Sequence, residues 1–364
     1  MGLTTSEKID FIKSFLLQNN YIDYQDLREK EMICVVYELF KFDIVEEIKL
    51  LNNPILVRYF ALYCGVKKNH IKAFKLYQRG VDLGNTDAIN ALAFFYEKGI
   101  GTKKDVNKAF ELYQKAANLD NSAAINNLGV CYKNGIGAEK DVNKAFELYQ
   151  KAANLDSSAA INNLGVCYEN GIGTKKDVNK AFELYQKAAN LDSSSAINNL
   201  GLCYKFGKGT EKNIEKAFEL YQKAVGLNNP AAMNNLAVCY ENGTGIQKDE
   251  KKAFELYQKA VNLGDTIAIN NLANCYCQGI GCDINILEAL KLYINNNIDN
   301  ETAIIKLRPF AWKTDLLELV IKLFNENTEI KKINEHLKLY PGTSYEQAMN
   351  HYELAKNNKI YNYF

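Results

Sequence analysis

Three cysteines and an aspartate near residue 280 have side chains that could hold a metal ion. Cys275, Cys277, Cys282 and Asp283 are ligand types that zinc accepts, but a structural zinc site needs four closely set ligands. Cys275 and Cys277 would point to different faces of a helix. The three histidines are scattered along the chain, at His70, His336 and His351. We therefore expect no metal and no other cofactor.

A Gly-x-Gly sequence that could wrap around a phosphate occurs at residues 135–137. Nucleotide-binding loops of this kind follow a strand and open a helix. Here the sequence follows a predicted helix and recurs six times between Gly99 and Gly281, which favours left-handed helix termination. We also find no catalytic triad, no paired acids and no nucleotide motif. These observations predict a protein that is not an enzyme.

The most conspicuous polar residues are pairs of asparagines inside apolar segments. The sequence INNLGVCY stands at 125–132 and again at 161–168, with close variants at 197–204, 233–240 and 269–276. Asn is a mediocre helix former because its amide competes for backbone hydrogen bonds. The same amide offers one acceptor and two donors, so it can bind an extended peptide. Two interpretations remain open, a binding surface and compositional filler.

Composition excludes several classes of partner. The 364 residues include 44 Lys and Arg and 43 Asp and Glu, so a net charge of +1 creates no field that would attract nucleic acid. The chain contains no apolar run of 18 residues, the length that would predict a membrane-spanning helix, and we see no signal peptide. Nine cysteines then indicate a reducing compartment. We expect a cytoplasmic protein, and the host cytoplasm if it comes from a virus or an intracellular pathogen.

The elements that carry these residues recur every 36 residues. Ala-Phe falls at 73–74, 109–110, 145–146, 181–182, 217–218 and 253–254. Residues 104–137 and 140–173 differ only at Asn121/Ser157 and Lys133/Glu169. Each repeat contains two helical patterns with Ser, Asn or Asp before the first residue, which is the preferred N-cap chemistry. A fixed period of this size predicts a solenoid of helix pairs.

Several recurring positions together resemble the Sel-1-like repeat, a relative of the tetratricopeptide repeat. They are Leu128-Gly129-x-x-Tyr132, Gly135-x-Gly137, Asp141, Lys144-Ala145, Tyr149 and Lys151-Ala152-Ala153. The resemblance implies an all-α fold, an α/α right-handed superhelical solenoid of 36-residue helix-turn-helix repeats with helical caps. It also implies a non-enzymatic adaptor or scaffold that binds a protein or peptide in its concave groove. Some bacterial and viral members are thought to engage host proteins, so a host-interacting factor is one form of this hypothesis.

A cysteine-rich branch of this family has two cysteines per repeat, joined in a disulfide, and has been described as β-lactamase-like. Most repeats here have one cysteine, at Cys131, Cys167, Cys203, Cys239 and Cys275. Equivalent positions of neighbouring repeats lie about 8–10 Å apart, whereas a disulfide needs Cα atoms within about 7 Å. We expect reduced thiols packed as small apolar side chains. A hydrolase is the weaker alternative, because the chain has no Ser-x-x-Lys sequence.

A helical wheel predicts where the asparagines lie. The side that meets the partner helix holds Ala124, Leu128, Cys131 and Tyr132. The opposite side holds Ala123, Asn126, Val130 and Lys133, with Asn127 at the edge. In tetratricopeptide relatives, the residue before the Leu-Gly pair is often a peptide-binding Asn in the groove. The predicted partner-binding residues are Asn90, Asn126, Asn127, Asn162, Asn163, Asn198, Asn199, Asn234, Asn235, Asn270 and Asn271. The charged groove position alternates in sign, through Glu97, Lys133, Glu169, Lys205 and Glu241.

The remaining segments lack the repeat pattern. We divide the chain into an N-terminal helical cap at 1–52, a solenoid at 53–297 and a C-terminal helical cap at 298–364. The solenoid comprises a degenerate repeat at about 53–85, then 86–121, 122–157, 158–193, 194–229, 230–265 and 266–297. The first residues, MGLTTS, match the myristoylation pattern at Gly2. Acylation there would make the protein a membrane-associated regulator, which is the alternative function.

Overall fold

The computed structural model describes residues 69–295. Helices form every regular element of this part of the chain. They are α1 (His70–Asp82), α2 (Thr86–Lys98), α3 (Val106–Ala117), α4 (Ser122–Asn134), α5 (Val142–Asn154), α6 (Ser158–Asn170), α7 (Val178–Asn190), α8 (Ser194–Phe206), α9 (Ile214–Gly226), α10 (Pro230–Asn242), α11 (Glu250–Asn262), α12 (Thr266–Gln278) and α13 (Ile286–Asn295). The two predicted caps and Gly2 lie outside the described residues.

The helices pack as consecutive pairs within two compact units. Of the described residues, the first unit includes 69–196 and 207–211, and the second includes 197–206 and 212–295. In the first unit α2 packs on α3, α4 on α5 and α6 on α7, while α3–α4 and α5–α6 contacts join successive pairs. In the second unit α10 packs on α11 and α12 on α13. The predicted all-α class of tandem 36-residue helix pairs is confirmed.

The second helix of each pair buries the stripe that its 3.6-residue period predicts. In α3, Ala109, Tyr113 and Ala116 are almost fully buried, whereas Glu111 and Lys115 are exposed. The equivalent tyrosines are the largest fully buried side chains of the described region, Tyr113, Tyr149, Tyr185, Tyr221 and Tyr257. Small alanines beside one large ring let neighbouring helices approach closely and leave the ring as the main filling of each layer.

Side-chain caps fix where the helices begin. The Asp141 carboxylate accepts hydrogen bonds from the backbone N–H groups of Asn143 and Lys144, and Asn121 accepts one from Ala124. Pro230 occupies the first position of α10, where its missing N–H costs nothing. These contacts confirm the predicted helix starts, because capping depends on residues that are adjacent in sequence.

Left-handed glycines end the first helix of each pair. Gly135 has φ of +72°, and the N–H groups of Gly135 and Ile136 both donate to the Cys131 carbonyl. Gly137, with φ of +68°, lies against the start of α3, where an added Cβ would be 2.6 Å from the Val106 carbonyl oxygen. The Gly-x-Gly sequence is therefore a helix terminus and a close-packing site, as the interpretation against a phosphate loop predicted.

Candidate functional site

The two asparagines of each pair lie in different surroundings. Asn126 is 7% exposed, and the equivalent residues Asn162, Asn198 and Asn234 are also buried. Asn127 and its equivalents are half-buried. The helical wheel predicts that Asn126 faces away from the partner helix of its own pair. It does not predict the burial of Asn126, which involves the following repeat, where Asn163 donates to Asn126 Oδ1.

Hydrogen bonds join the asparagines of successive repeats. The Asn163 side-chain N–H group donates to Asn126 Oδ1 at 2.8 Å, and Asn127 donates to Asn90 Oδ1 at 3.0 Å. Within the pair, Asn126 Nδ2 lies 3.4 Å from Asn127 Oδ1. The amides of Asn163, Asn126, Asn127 and Asn90 thus form one chain of hydrogen bonds across three repeats.

The second unit repeats this arrangement. Asn235 donates to Asn198 Oδ1 and Asn271 donates to Asn234 Oδ1, each at 2.8 Å. In these four bonds between repeats, the second asparagine of one repeat donates to the first asparagine of the preceding repeat. We call these residues the asparagine ladder. The bonds satisfy polar groups that burial would otherwise leave unpaired, so the ladder has a structural role in addition to any role in binding.

The solvent side of the ladder is partly apolar. Phe94 is 43% exposed, and Val130, Val166 and Val238 at the equivalent positions are half-buried. Each lies three residues after a second-position asparagine or its equivalent, which places it one helical turn away on the same face. This face therefore offers amide groups and apolar side chains side by side.

The alternating charged position controls the hydroxyl of the buried tyrosine. Tyr113 donates to Glu97 at 2.9 Å, Tyr185 donates to Glu169 at 2.8 Å and Tyr257 donates to Glu241 at 2.6 Å. Burial raises the pKa of Tyr257, and the adjacent Glu241 carboxylate raises it further.

Two repeats have a lysine in place of this glutamate. Lys133 and Lys205 occupy the position in the repeats of Tyr149 and Tyr221. The Tyr221 hydroxyl is buried and has no hydrogen-bond partner. Burial raises the pKa of Tyr221, followed by the neighbouring thiols of Cys239 and Cys203. The sequence had shown the alternation of charge but not its connection to the tyrosine 16 residues later, because these residues lie on different helices.

The thiols of the described region are free and mostly buried. Cys131, Cys167, Cys203, Cys239, Cys275 and Cys277 are buried, and Cys282 is partly exposed. Burial raises the pKa of Cys131 to about 11 and that of Cys275 to about 12. The prediction of thiols packed as small apolar side chains, without a disulfide, is confirmed for Cys131, Cys167, Cys203, Cys239 and Cys275.

The residues considered at the outset for zinc do not form a cluster. The Cys282 thiol donates to the Cys275 carbonyl at 3.6 Å. Between residues 69 and 295, no group of three or more His, Cys, Asp or Glu side chains is arranged to hold a metal ion. None of the described helices is both long and apolar enough to cross a bilayer.

The repeated geometry matches a known family. The model of the Sel1 repeat matches seven segments, 59–85, 86–121, 122–157, 158–193, 194–229, 230–265 and 266–294. The chain belongs to the Sel1 repeat family. Proteins of this family are generally non-catalytic scaffolds that bind other proteins. A comparison with curated proteins finds no match.

One solved structure of a Sel1 repeat protein supports the fold, and two further structures are similar to parts of this chain. A Sel1 repeat protein from Oxalobacter formigenes is 29% identical with a TM-score of 0.54, over 65% of this chain and 97% of that one. The protective antigen c5321 of uropathogenic Escherichia coli is 22% identical with a TM-score of 0.49, over 78% and 67%. Cysteine-rich protein B of Helicobacter pylori is 32% identical with a TM-score of 0.30, over 36% and 96%.

Proposed function

We propose that this Sel1 repeat protein is a cytoplasmic adaptor that holds a protein partner along the face of the asparagine ladder. The observation that carries the proposal is that the second-position asparagines are half-buried in each unit, Asn127 and Asn163 in the first and Asn199, Asn235 and Asn271 in the second. The proposal narrows the predicted partner-binding residues to these five, because Asn126 is buried and its Oδ1 already accepts a hydrogen bond from Asn163 of the next repeat.

The Asn127 amide has hydrogen-bonding capacity beyond its bonds in the ladder. Asn127 uses one N–H in its bond to Asn90, and its Oδ1 accepts from Asn126. An amide group has two N–H donors and an oxygen with two lone pairs. One donor and one acceptor site of Asn127 therefore remain for the backbone of an extended peptide, and the half-buried side chain leaves them accessible.

Amide contacts alone would bind weakly. A net hydrogen bond contributes about 0.5–1.5 kcal/mol, whereas association costs about 4–15 kcal/mol. The apolar side chains beside the ladder supply the remainder, and Phe94 with its 43% exposure is the largest of them in the first unit. We therefore expect the partner segment to combine an extended backbone with apolar side chains.

Two matched variants test the proposal. Asn127→Ala/Asn163→Ala removes two accessible amides, and Asn126→Ala/Asn162→Ala removes two buried ones. Both remove ladder bonds, so both should lower stability to a similar degree. Partners captured from cell extract with the intact protein are then titrated against each variant. The proposal requires that the first variant loses affinity by about tenfold or more, while the folded second variant retains it. Equal affinities for both variants would contradict it.

A further inference from the structure

The five repeats from 86 to 265 fall into two types according to the residue 16 positions before the buried tyrosine, which is Glu or Lys. In the glutamate type, the carboxylate accepts a hydrogen bond from the tyrosine hydroxyl, as Glu241 does from Tyr257 at 2.6 Å. The carboxylate stands at the border with solvent, since the side chains of Glu97 and Glu169 are 16% and 22% exposed. The lysine type lacks this acceptor, although the buried tyrosine is the same.

Tyr221 shows what the lysine type leaves unsatisfied. The side chain is 0% exposed and its hydroxyl has no hydrogen-bond partner. The Lys205 ammonium, the group that replaces the glutamate, lies over the Phe206 ring at 5.3 Å from its centroid. A cation cannot accept a hydrogen bond, so Lys205 cannot replace the glutamate. At the position that Glu241 fills in the next repeat, this repeat thus has a cationic side chain and an unpartnered donor below it, but no anion.

We infer that Lys205 and Tyr221 form a binding site for the carboxylate of an aspartate or glutamate side chain in the partner protein. Because the Tyr221 hydroxyl is buried in the free protein, the Lys205 side chain turns away from Phe206 to admit the carboxylate. The carboxylate then accepts a hydrogen bond from the Tyr221 hydroxyl and pairs with the Lys205 ammonium. It takes the position that Glu241 occupies above Tyr257. Lys133 and Tyr149 provide the same pair of groups in the first unit.

The inference rests on the proposed function and adds the chemistry of the partner. A hydrogen bond to a charged group is stronger than a neutral one, and the ion pair adds to it. A segment that contacts the ladder would therefore be selected for acidic side chains at the lysine repeats. At the glutamate repeats the same side chain would meet a like charge and be rejected, so the alternation also sets where along the repeats an acidic residue fits.

A blocked 12-residue peptide of alternating Glu and Ser, with a Gln-for-Glu twin, tests the site directly. The full-length protein carries Lys133→Glu, so that one lysine site remains. Fluorescence anisotropy should show that the Glu peptide binds at least tenfold more tightly than its twin. Tyr221→Phe and Lys205→Glu should each weaken the Glu peptide by about tenfold, which corresponds to 1.4 kcal/mol. Lys212→Glu makes the same charge change at an exposed loop residue and should leave affinity nearly unchanged.

Tyr221→Phe decides the outcome, because it alters no charge and removes a hydroxyl that has no partner in the free protein. If this variant binds the Glu peptide as well as its parent does, the inference is wrong. Equal losses in Lys205→Glu and Lys212→Glu would also overturn it, since they would indicate non-specific attraction. Sodium acetate serves as the small carboxylate, and the inference requires that it competes at concentrations well above those of the peptide.

The failure of this inference can be distinguished from the failure of the proposed function. A partner that binds the Lys133→Glu/Lys205→Glu protein undiminished, yet is lost with Asn127→Ala/Asn163→Ala, supports the adaptor and overturns the carboxylate site. Binding of the Glu peptide that depends on the Tyr221 hydroxyl, with no effect of the asparagine variants on any partner, supports the site and contradicts the ladder face.

Discussion

The buried tyrosine has a different polar environment in different repeats, so the hydroxyls of Tyr257 and Tyr221 should contribute differently to stability. In Tyr257→Phe, Glu241 loses the 2.6 Å hydrogen bond of the hydroxyl. We expect this change to lower the free energy of unfolding by about 1–2 kcal/mol. Tyr221→Phe removes a hydroxyl without a partner, so the change should lie within about 0.5 kcal/mol or be stabilising. Urea unfolding followed by circular dichroism measures both.

The matched stabilising substitution is Lys205→Glu, which gives the Tyr221 hydroxyl the acceptor found in the neighbouring repeat. This variant should unfold at a higher urea concentration than the parent protein. In its background, Tyr221→Phe should become destabilising. Failure of the second substitution to change sign would show that the charged position and the tyrosine hydroxyl do not interact.

Glu169 provides a prediction for the dependence of stability on pH. Burial opposes ionisation of this carboxyl, but hydrogen bonds from Lys208 at 2.6 Å and Tyr185 at 2.8 Å outweigh it and lower its pKa. A lowered folded-state pKa contributes stability above the unfolded value of about 4.3, and this contribution is lost as the pH falls through the folded value. Glu169→Gln should therefore flatten the fall in stability below about pH 4.5.

Urea midpoints between about pH 3 and 7 give the comparison. The exposed Glu147 in the adjacent helix serves as the control, because it is outside the hydrogen-bonded cluster. Glu147→Gln should leave the acid limb close to that of the parent protein. If the urea midpoint falls equally steeply with decreasing pH in Glu169→Gln and in the parent protein, the Lys208 and Tyr185 contacts do not stabilise the carboxylate.

At the scale of elements, two glycines of one repeat should respond differently to alanine. Gly137→Ala places a Cβ 2.6 Å from the Val106 carbonyl oxygen at a residue with φ of +68°, so backbone must move. We expect a loss of about 3 kcal/mol or more. At Gly129, the new Cβ would lie 2.7 Å from the Tyr149 ring, which is a side chain that can shift.

Other repeats indicate how much that shift costs. Ala93, Ala237 and Ala273 occupy the position of Gly129 in their repeats and are fully buried. Gly129→Ala should therefore cost about 1 kcal/mol or less. Thermal unfolding of both variants gives the comparison, and a larger loss for Gly129→Ala than for Gly137→Ala would reverse our assignment of the rigid contact.

Helix starts, helix ends and the buried stripe were predictable because each depends on residues within one or two turns. The cap of Asp141, the left-handed Gly135 and the buried Tyr113 all follow from local sequence. The burial of Asn126 was not predictable in this way. It depends on Asn163, which is 37 residues away, and a helical wheel contains no information about the next repeat.

At the scale of the whole molecule, the repeats should be interchangeable in register. Deletion of residues 122–157 joins Asn121 to Ser158, so the cap before α6 is replaced by an equivalent residue. Asn163 would then face Asn90 as Asn127 does now. We expect the shortened protein to keep its helical content per residue and to unfold cooperatively at a lower urea concentration, because each repeat contacts mainly its neighbours.

Deletion of residues 122–139 is the control, since it removes α4 and its loop but leaves α5 without a partner. Circular dichroism and urea unfolding should show a much larger loss of structure for this half-repeat. Comparable losses in the two deletions would mean that stability does not depend on complete helix pairs.

The candidate site was only partly readable from the sequence. The asparagine pairs inside apolar segments indicated a partner-binding role, and their spacing of 36 residues predicted that they recur at the same position of successive repeats. Two features depended on the fold. One is the division of each pair into a buried and an accessible residue, and the other is the missing acceptor above Tyr221. Both arise from contacts between helices that are remote in sequence.

The one-way direction of the ladder bonds has a consequence for how such an array can grow. The first asparagine of a repeat accepts a hydrogen bond from the following repeat, and the second asparagine donates one to the preceding repeat. The repeat that starts at residue 86 has the accepting asparagine, Asn90, but has Ala91 at the position of the donating asparagine. One period before Asn90, residue 54 is a proline. The repeat at 86–121 thus has only the asparagine that accepts a bond from the following repeat. Adding another standard unit in front of it would call for Asn at position 91.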